Sequence, residues 1–107
     1  MQEYHYDKEG LKYLKTLGNL KKEQLESFSD FNNKAFAEGA IPPKYKELIA
    51  IAAAHITRCP YCIEGHTRRA KENGATDEEI AEAIFVAVAM NAGASIAHAS
   101  IAMKVLA

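Results

Sequence analysis

The fold class of this chain is decided by residues 44–66, which read KYKELIAIAAAHITRCPYCIEGH. Leu48 to His55 is mostly alanine and isoleucine at helical length, so we predict a nearly continuous, largely buried apolar helix over Lys44–Thr57. Proline favours the first turn of a helix, so a second helix is predicted to start at Pro60 and to run to about Asn73. These two helices indicate an all-α protein.

Helical periodicity and capping signals extend outward from this segment. Thr76-Asp77-Glu78-Glu79 has the pattern of a capping box, Gly74 can supply a left-handed cap, and Ile41-Pro42-Pro43 predicts a stiff joint. Glycines at positions 18, 39 and 93 are expected to end or break helices. The other predicted helices span Lys8–Leu17, Lys21–Glu38, Asp77–Ala92 and Ala94–Leu106. We therefore expect one domain over residues 1–107, a bundle of about five to six helices with N-terminal helices in residues 1–40.

Composition excludes several functional classes. The chain has 107 residues, of which 13 are basic and 14 acidic, and this balance with no basic stripe gives no electrostatic case for nucleic acid. The N-terminus is polar and lacks the apolar core of a signal peptide. The longest apolar stretch, Ile80–Met103, contains Glu82, Asn91, Gly93 and His98, so no membrane span is expected. We predict a cytoplasmic protein, a compartment in which a CxxC pair is more often catalytic or metal-binding than a structural cross-link.

Cys59 and Cys62 are the only cysteines, and they lie one helical turn apart. A cysteine placed before Pro60 would cap the following helix, where backbone amides favour the thiolate. His66 follows Cys62 by four residues and can accept its proton. This spacing is typical of a redox dithiol.

A CxxC pair with a nearby histidine has three other uses in proteins. A glutaredoxin uses the tetrapeptide Cys-Pro-Tyr-Cys, but its fold requires β-strands that the preceding helix does not provide. Haem attachment requires a histidine directly after the second cysteine, and position 63 is isoleucine. A zinc site would use Cys59, Cys62 and His66, with Glu47 or another histidine as the fourth ligand. Zinc therefore stays open as a minor alternative.

The pattern Glu47-x11-Cys59-x2-Cys62-x3-His66 resembles the alkylhydroperoxidase D-like branch of the carboxymuconolactone decarboxylase superfamily, over roughly residues 43–103. The resemblance implies an all-helical fold, a redox-active disulfide between the two cysteines, no further cofactor, and a Glu47–His66 proton relay. It also implies a hydroperoxide substrate, a reducing dithiol protein or small thiol as partner, and a homo-oligomer, a trimer or hexamer. Some members carry a histidine between the cysteines, where this chain has Tyr61.

The expected chemistry starts with Cys62, whose thiolate attacks the peroxide and is then resolved by Cys59. Helix rise places Glu47 roughly 15 Å before the turn and His66 roughly 9 Å after it, so we expect a water between them. Two alternatives remain: a non-catalytic helical module with zinc or buried thiols at the same residues, and a carboxymuconolactone decarboxylase-like lyase.

The remaining aromatic, histidine and basic side chains are assigned structural roles. Phenylalanines 28, 31 and 36 are expected in the core, and His55 and His98 are interpreted as core or interface histidines. Arg68, Arg69 and Lys71 are expected on a solvated face. The apolar, small-residue surface of residues 80–105 is too large for one domain to bury, which also favours a homo-oligomer.

Overall fold

In the computed structural model, which describes Asp7 and residues 9–107, the chain is all-helical. No strand occurs within those described residues. A short 3-10 turn, Gly10–Tyr13, precedes five α-helices. They are α1 (Leu14–Leu20), α2 (Lys22–Phe36), α3 (Pro43–Thr57), α4 (Pro60–Glu72) and α5 (Asp77–Leu106). The predicted fold class, a helical bundle with the CxxC at the start of a central helix, is confirmed.

Helices α3 and α4 form a tight hairpin, and its turn carries the first cysteine. Arg58 ends α3 in the left-handed conformation, with φ 60° and ψ 48°. The amide of Cys59 then donates to the carbonyl of Ala54 at 3.1 Å, and Cys59 itself is the N-cap of α4. The hairpin thus fixes both cysteines at its vertex.

The junction between α4 and α5 follows the capping signals in the sequence. Gly74 adopts φ 88°, its amide donates to the carbonyl of Lys71, and the amide of Ala75 donates to that of Ala70. This pair of bonds is a Schellman motif, which needs a residue that tolerates positive φ. At Thr76 both bonds of the predicted capping box are present, to the amide and the side chain of Glu79. Both predictions are confirmed.

The buried core is small and lies where α3, α4 and α5 meet. Ile51, Ala70, Ala75 and Ile80 form its centre, with Leu48 and Ile84 packed against it.

The prediction that α3 is largely buried is wrong for the single chain. Ile49 and Ile56 on α3 are 56% and 45% exposed. Phe28 and Phe31 on α2 are also exposed, so their assignment to the core is wrong as well. These faces of α2 and α3 are not covered within the described chain.

Gly18 does not act as the predicted helix breaker. Gly18 and Asn19 lie inside α1, which continues to Leu20 and ends at Lys21, whose backbone is not helical (φ −141°, ψ 68°). A β-carbon at Gly18 would lie 2.9 Å from Leu25 Cδ2, so this glycine permits close packing of α1 against α2. The predicted start of this helix at Lys8 and the polar N-terminus, residues 1–5, lie outside the described residues.

Helix α5 runs without interruption through Gly93, contrary to the predicted break. An interior glycine costs a helix only about 1 kcal/mol relative to alanine, and the surrounding alanines offset that cost. The resulting 30-residue helix is long and apolar enough to cross a membrane by length and composition, so the expected interruption of Ile80–Met103 is also wrong. Only 6% of its most apolar stretch is buried in the single chain. The core helix of an assembled protein can have the same composition.

Candidate active site

Glu47 and His66 contact each other directly across the α3–α4 hairpin. Glu47 Oε1 lies 2.7 Å from His66 Nδ1, and Glu47 is 5% exposed. The expectation of an intervening water is therefore wrong. Helix rise predicts that Glu47 and His66 differ by roughly 6 Å in their distance from the turn, measured along the helix axes. The two long side chains span this difference because the helices pack closely.

This hydrogen bond orients the imidazole. A carboxylate can only accept, so Nδ1 carries the proton and donates it, and Nε2 is left as an acceptor. His66 and Cys62 are four residues apart on α4 and therefore neighbours on one helix face. Both line the same cavity. The geometry gives Cys62 a base held in one tautomer by a buried carboxylate.

Cys59 and Cys62 form a disulfide, with their Cα atoms 5.2 Å apart. Their environments differ. Cys59 Sγ accepts a hydrogen bond from the amide of Cys62 at 3.2 Å, as an N-cap side chain does. Cys62 lines the cavity beside His66, whereas Cys59 is absent from its lining.

The cavity beside Cys62 is apolar and has a volume of about 490 Å³. Its floor is one face of α3, and residues from the end of α2 and the joint before α3 form the opposite side. The lining residues are Ala35, Phe36, Ile41, Lys46, Ile49, Ala50, Ala53, Ala54, Thr57, Cys62 and His66. An organic molecule that enters it meets the thiol and the imidazole together.

Phe36 is a site residue that the sequence did not reveal. Its ring stacks on the imidazole of His66, with centroids 4.9 Å apart and an interplanar angle of 17°. The ring therefore fixes the plane of the base and shields one of its faces from water. No local pattern distinguishes Phe36 from Phe28 and Phe31, because the distinction depends on how α2 packs against the hairpin.

Arg69 is exposed, as its assignment to a solvated face predicts, but it also borders the site. Its Nε lies 3.7 Å from Glu47 Oε1, and its Nη2 lies 3.3 Å from His66 Nδ1. Arg68 and Lys71, by contrast, pair with Glu64 and Asp77 on the surface. The spacing of three residues between His66 and Arg69 was a signal that could have separated Arg69 from its neighbours.

A second, more polar cavity of about 210 Å³ shares His66 and Phe36 with the apolar one. It is lined by Asn32, Asn33, Phe36, Glu47, His66 and Arg69. His66 and Phe36 thus line both an apolar cavity, which Cys62 also lines, and a polar cavity, which Glu47 also lines.

Tyr61, between the two cysteines, meets the N-terminal segment. The amide of Asp7 donates to its hydroxyl at 3.5 Å, and a β-carbon at Gly10 would lie 2.5 Å from the same oxygen. Tyr61 is therefore a packing residue on the outer side of the motif.

The other two histidines of the described chain lie apart from the dithiol. His55 Nδ1 is 2.8 Å from the carbonyl of Ile51. His98 is exposed on α5 in the single chain. Among the residues that the structure describes, no group of three or more histidine, cysteine, aspartate or glutamate side chains is arranged to hold a metal ion.

Known proteins resemble this chain in sequence and in fold. The sequence profile of the carboxymuconolactone decarboxylase family matches residues 23–104. "Uncharacterized protein 4 in cox locus" of Paracoccus denitrificans is 51% identical over 81 residues, which cover 76% of this chain and 73% of that protein. An uncharacterized protein of Cupriavidus necator is 32% identical over 87 residues, which cover 81% and 77%. A crystal structure of a protein from Methanobacterium thermoautotrophicum superposes with a TM-score of 0.71 at 36% identity, over 76% of this chain and 93% of that one.

Proposed function

Because the chain belongs to the carboxymuconolactone decarboxylase family, which includes peroxidases and decarboxylases, we propose that it is a thiol-dependent peroxidase. Its substrates are organic hydroperoxides, and an external dithiol protein or small thiol of a reducing, cytoplasmic compartment regenerates it. The observation that carries this proposal is the position of Cys62. Its side chain lines an apolar cavity together with His66, which is oriented by Glu47, and it pairs with Cys59.

The first half of the cycle oxidises Cys62. His66 Nε2 takes the thiol proton, and the thiolate attacks the terminal oxygen of the hydroperoxide. The O–O bond breaks, the sulfur keeps the terminal oxygen as a sulfenic acid, and the leaving alkoxide takes the proton from His66 to become an alcohol. Glu47 stabilises the imidazolium while it exists.

The second half forms the disulfide. Cys59 sulfur attacks Cys62 sulfur, the S–O bond breaks, and the leaving hydroxide takes the Cys59 proton to become water. Two electrons and two protons from the external dithiol then restore both thiols. We assign the attack by this reductant to Cys59, which lies outside the apolar cavity.

A decarboxylase-like lyase reaction is less well supported, because the disulfide has no role in such a reaction. A zinc-stabilised or thiol-containing module without activity would need no base beside Cys62. The experiment below separates these alternatives.

We also propose that the active species is a homo-oligomer, a trimer or a dimer of trimers. Helix α5 exposes large apolar side chains along its length, including Phe85, Ile96 and Ile101, at 69%, 77% and 64%. Apolar surface on this scale is normally covered by another subunit.

The proposal is tested by titrating free thiols in denaturant before and after one equivalent of cumene hydroperoxide, with zinc measured in the same sample. We expect both thiols to be lost and to return with dithiothreitol. In the Cys59→Ser variant, a sulfenic acid at Cys62 should be trapped by dimedone. Two unreactive thiols with stoichiometric zinc would establish a metal site instead, and unreactive thiols without zinc would leave the non-catalytic module.

A further inference from the structure

Lys46 places a cation at the rim of the apolar cavity that contains Cys62. Its ammonium donates to the carbonyls of Ala35 at 2.9 Å and of Ala37 at 2.5 Å, at the C-terminal end of α2. These bonds use two of its three N–H donors. The side chain is thereby held in place with one donor left.

The charge of Lys46 has no carboxylate partner among the residues that the structure describes. Lys44 and Lys71, in contrast, pair with Glu79 and Asp77 at 2.9 and 2.7 Å. An ammonium that is fixed in place, next to apolar surface and without a counterion, is a receptor for an anionic group.

The cavity continues from Lys46 along a stripe of small residues on α3. Lys46, Ala50, Ala53 and Thr57 recur at intervals of three or four residues, so they share one face of the helix. The stripe from position 46 to position 57 is roughly 16 Å long. Cys62 and His66 border it from α4, so a chain that lies along this stripe passes the reactive sulfur.

Building on the proposed peroxidase function, we propose that the substrate is a straight-chain hydroperoxide with a carboxylate head group. The carboxylate binds Lys46, and the hydrocarbon chain lies on the alanine stripe with its hydroperoxide beside Cys62. Lys46 is then a specificity-determining residue, since it acts on the head group and not on the reacting oxygen atoms.

The test compares two substrates that differ only in head-group charge, linoleic acid hydroperoxide and its methyl ester. The wild-type protein should have a kcat/KM about tenfold higher for the acid, the size of one hydrogen bond between charged groups. The Lys46→Gln variant should bring the ratio of the two values to about one, and Lys46→Arg should keep it. Equal rates for acid and ester in the wild type, or a ratio that Lys46→Gln leaves unchanged, would overturn the proposal.

A matched control removes a lysine elsewhere. Lys22 pairs with Glu26 on the exposed side of α2, so Lys22→Gln should keep the preference for the acid. If Lys46→Gln does not fold because the end of α2 loses its cap, equal rates for acid and ester in the wild type or in Lys46→Arg would still overturn the proposal.

A binding measurement tests the head-group site independently of the peroxidase activity. Calorimetry on the oxidised protein should detect dodecanoate and a roughly tenfold weaker affinity for dodecanol. Such a preference with no reduction of any hydroperoxide would refute the peroxidase and retain the anionic-chain site. Reduction of cumene hydroperoxide with equal binding of the two chains would retain the peroxidase and refute the head-group site.

Discussion

Glu47 Oε1 and His66 Nδ1 are 2.7 Å apart although their residues are separated by 19 positions in the chain. This contact joins the two helices of the hairpin at the point where the cavity reaches Cys62. Because the Glu47 carboxylate orients the His66 imidazole, the reactivity of the Cys62 thiol should depend on Glu47, which does not line the apolar cavity.

Replacement of Glu47 by glutamine should slow the oxidation of Cys62 by hydroperoxide. The amide keeps the size of the side chain but removes the charge that stabilises the imidazolium, and we expect a loss on the order of 100-fold. Stopped-flow measurement of thiol loss tests this. Glu26→Gln, on the exposed side of α2, is the control, and a similar rate in Glu47→Gln and Glu26→Gln would exclude Glu47 from the relay.

Arg69 should act through Glu47, and a double-mutant cycle measures this. Its Nε lies 3.7 Å from the carboxylate, so Arg69→Gln alone should slow oxidation of Cys62 several-fold, on the order of the 1 kcal/mol coupling of contacting charged groups. In the Glu47→Gln background the same change should have almost no effect. Additive effects of the two substitutions would contradict a shared role, and Arg68→Gln, which loses only a surface pair with Glu64, is the matched control.

Stability should fall in mild acid because of Glu79. The amide of Thr76 and then the Lys44 ammonium, with which it pairs at 2.9 Å, hold the pKa of this carboxyl below its usual value of 4.5. A depressed folded-state pKa stabilises the fold above the unfolded pKa, and this contribution is lost as pH falls through the folded value. Chemical unfolding between pH 6 and pH 3 should therefore show a smaller acid-dependent loss in Glu79→Gln than in the wild type. Glu82→Gln, which removes no described ion pair, should retain the wild-type dependence.

Substitutions at Gly93 test whether α5 packs against another subunit. A β-carbon there meets nothing within 4 Å in the single chain, so a larger residue would be harmless in an unassembled protein, and alanine would stabilise it by about 1 kcal/mol. If subunits pack closely at this point, Gly93→Leu should dissociate the oligomer. Light scattering without detergent measures the mass, and a monomeric wild-type protein, or one that sediments with lipid vesicles, would contradict the proposed assembly.

The sequence predicted the parts of the fold that are set by neighbouring residues. Pro60 marks the start of α4, Gly74 closes it, and the Thr76 capping box opens α5, because each signal acts within one helical turn. Gly18 and Gly93 were misinterpreted as breakers because a single glycine costs little where helix packing or alanine-rich sequence supports the helix. The exposure of Phe28 could not be predicted, since it depends on which other helices pack against α2.

The site was predicted as far as its motif extends. The spacing of Cys59, Cys62 and His66 indicates one helix face without any tertiary information. The direct contact of Glu47 with His66 was missed because an estimate along the helix axes leaves out side-chain reach. Phe36 and Lys46 enter the site only through the packing of α2 on α3, which no local pattern encodes.

The hairpin of α3 and α4 holds Glu47, Cys59, Cys62 and His66 in one uninterrupted segment of the chain. Contacts between residues close in sequence form with little loss of chain entropy, and so they form early in folding. We therefore expect the hairpin to form before α5 docks and before any subunits meet. Under the proposed peroxidase function, we expect a partly folded chain with an intact hairpin to be oxidised by hydroperoxide, so that oxidation reports on the hairpin and not on the integrity of the whole fold.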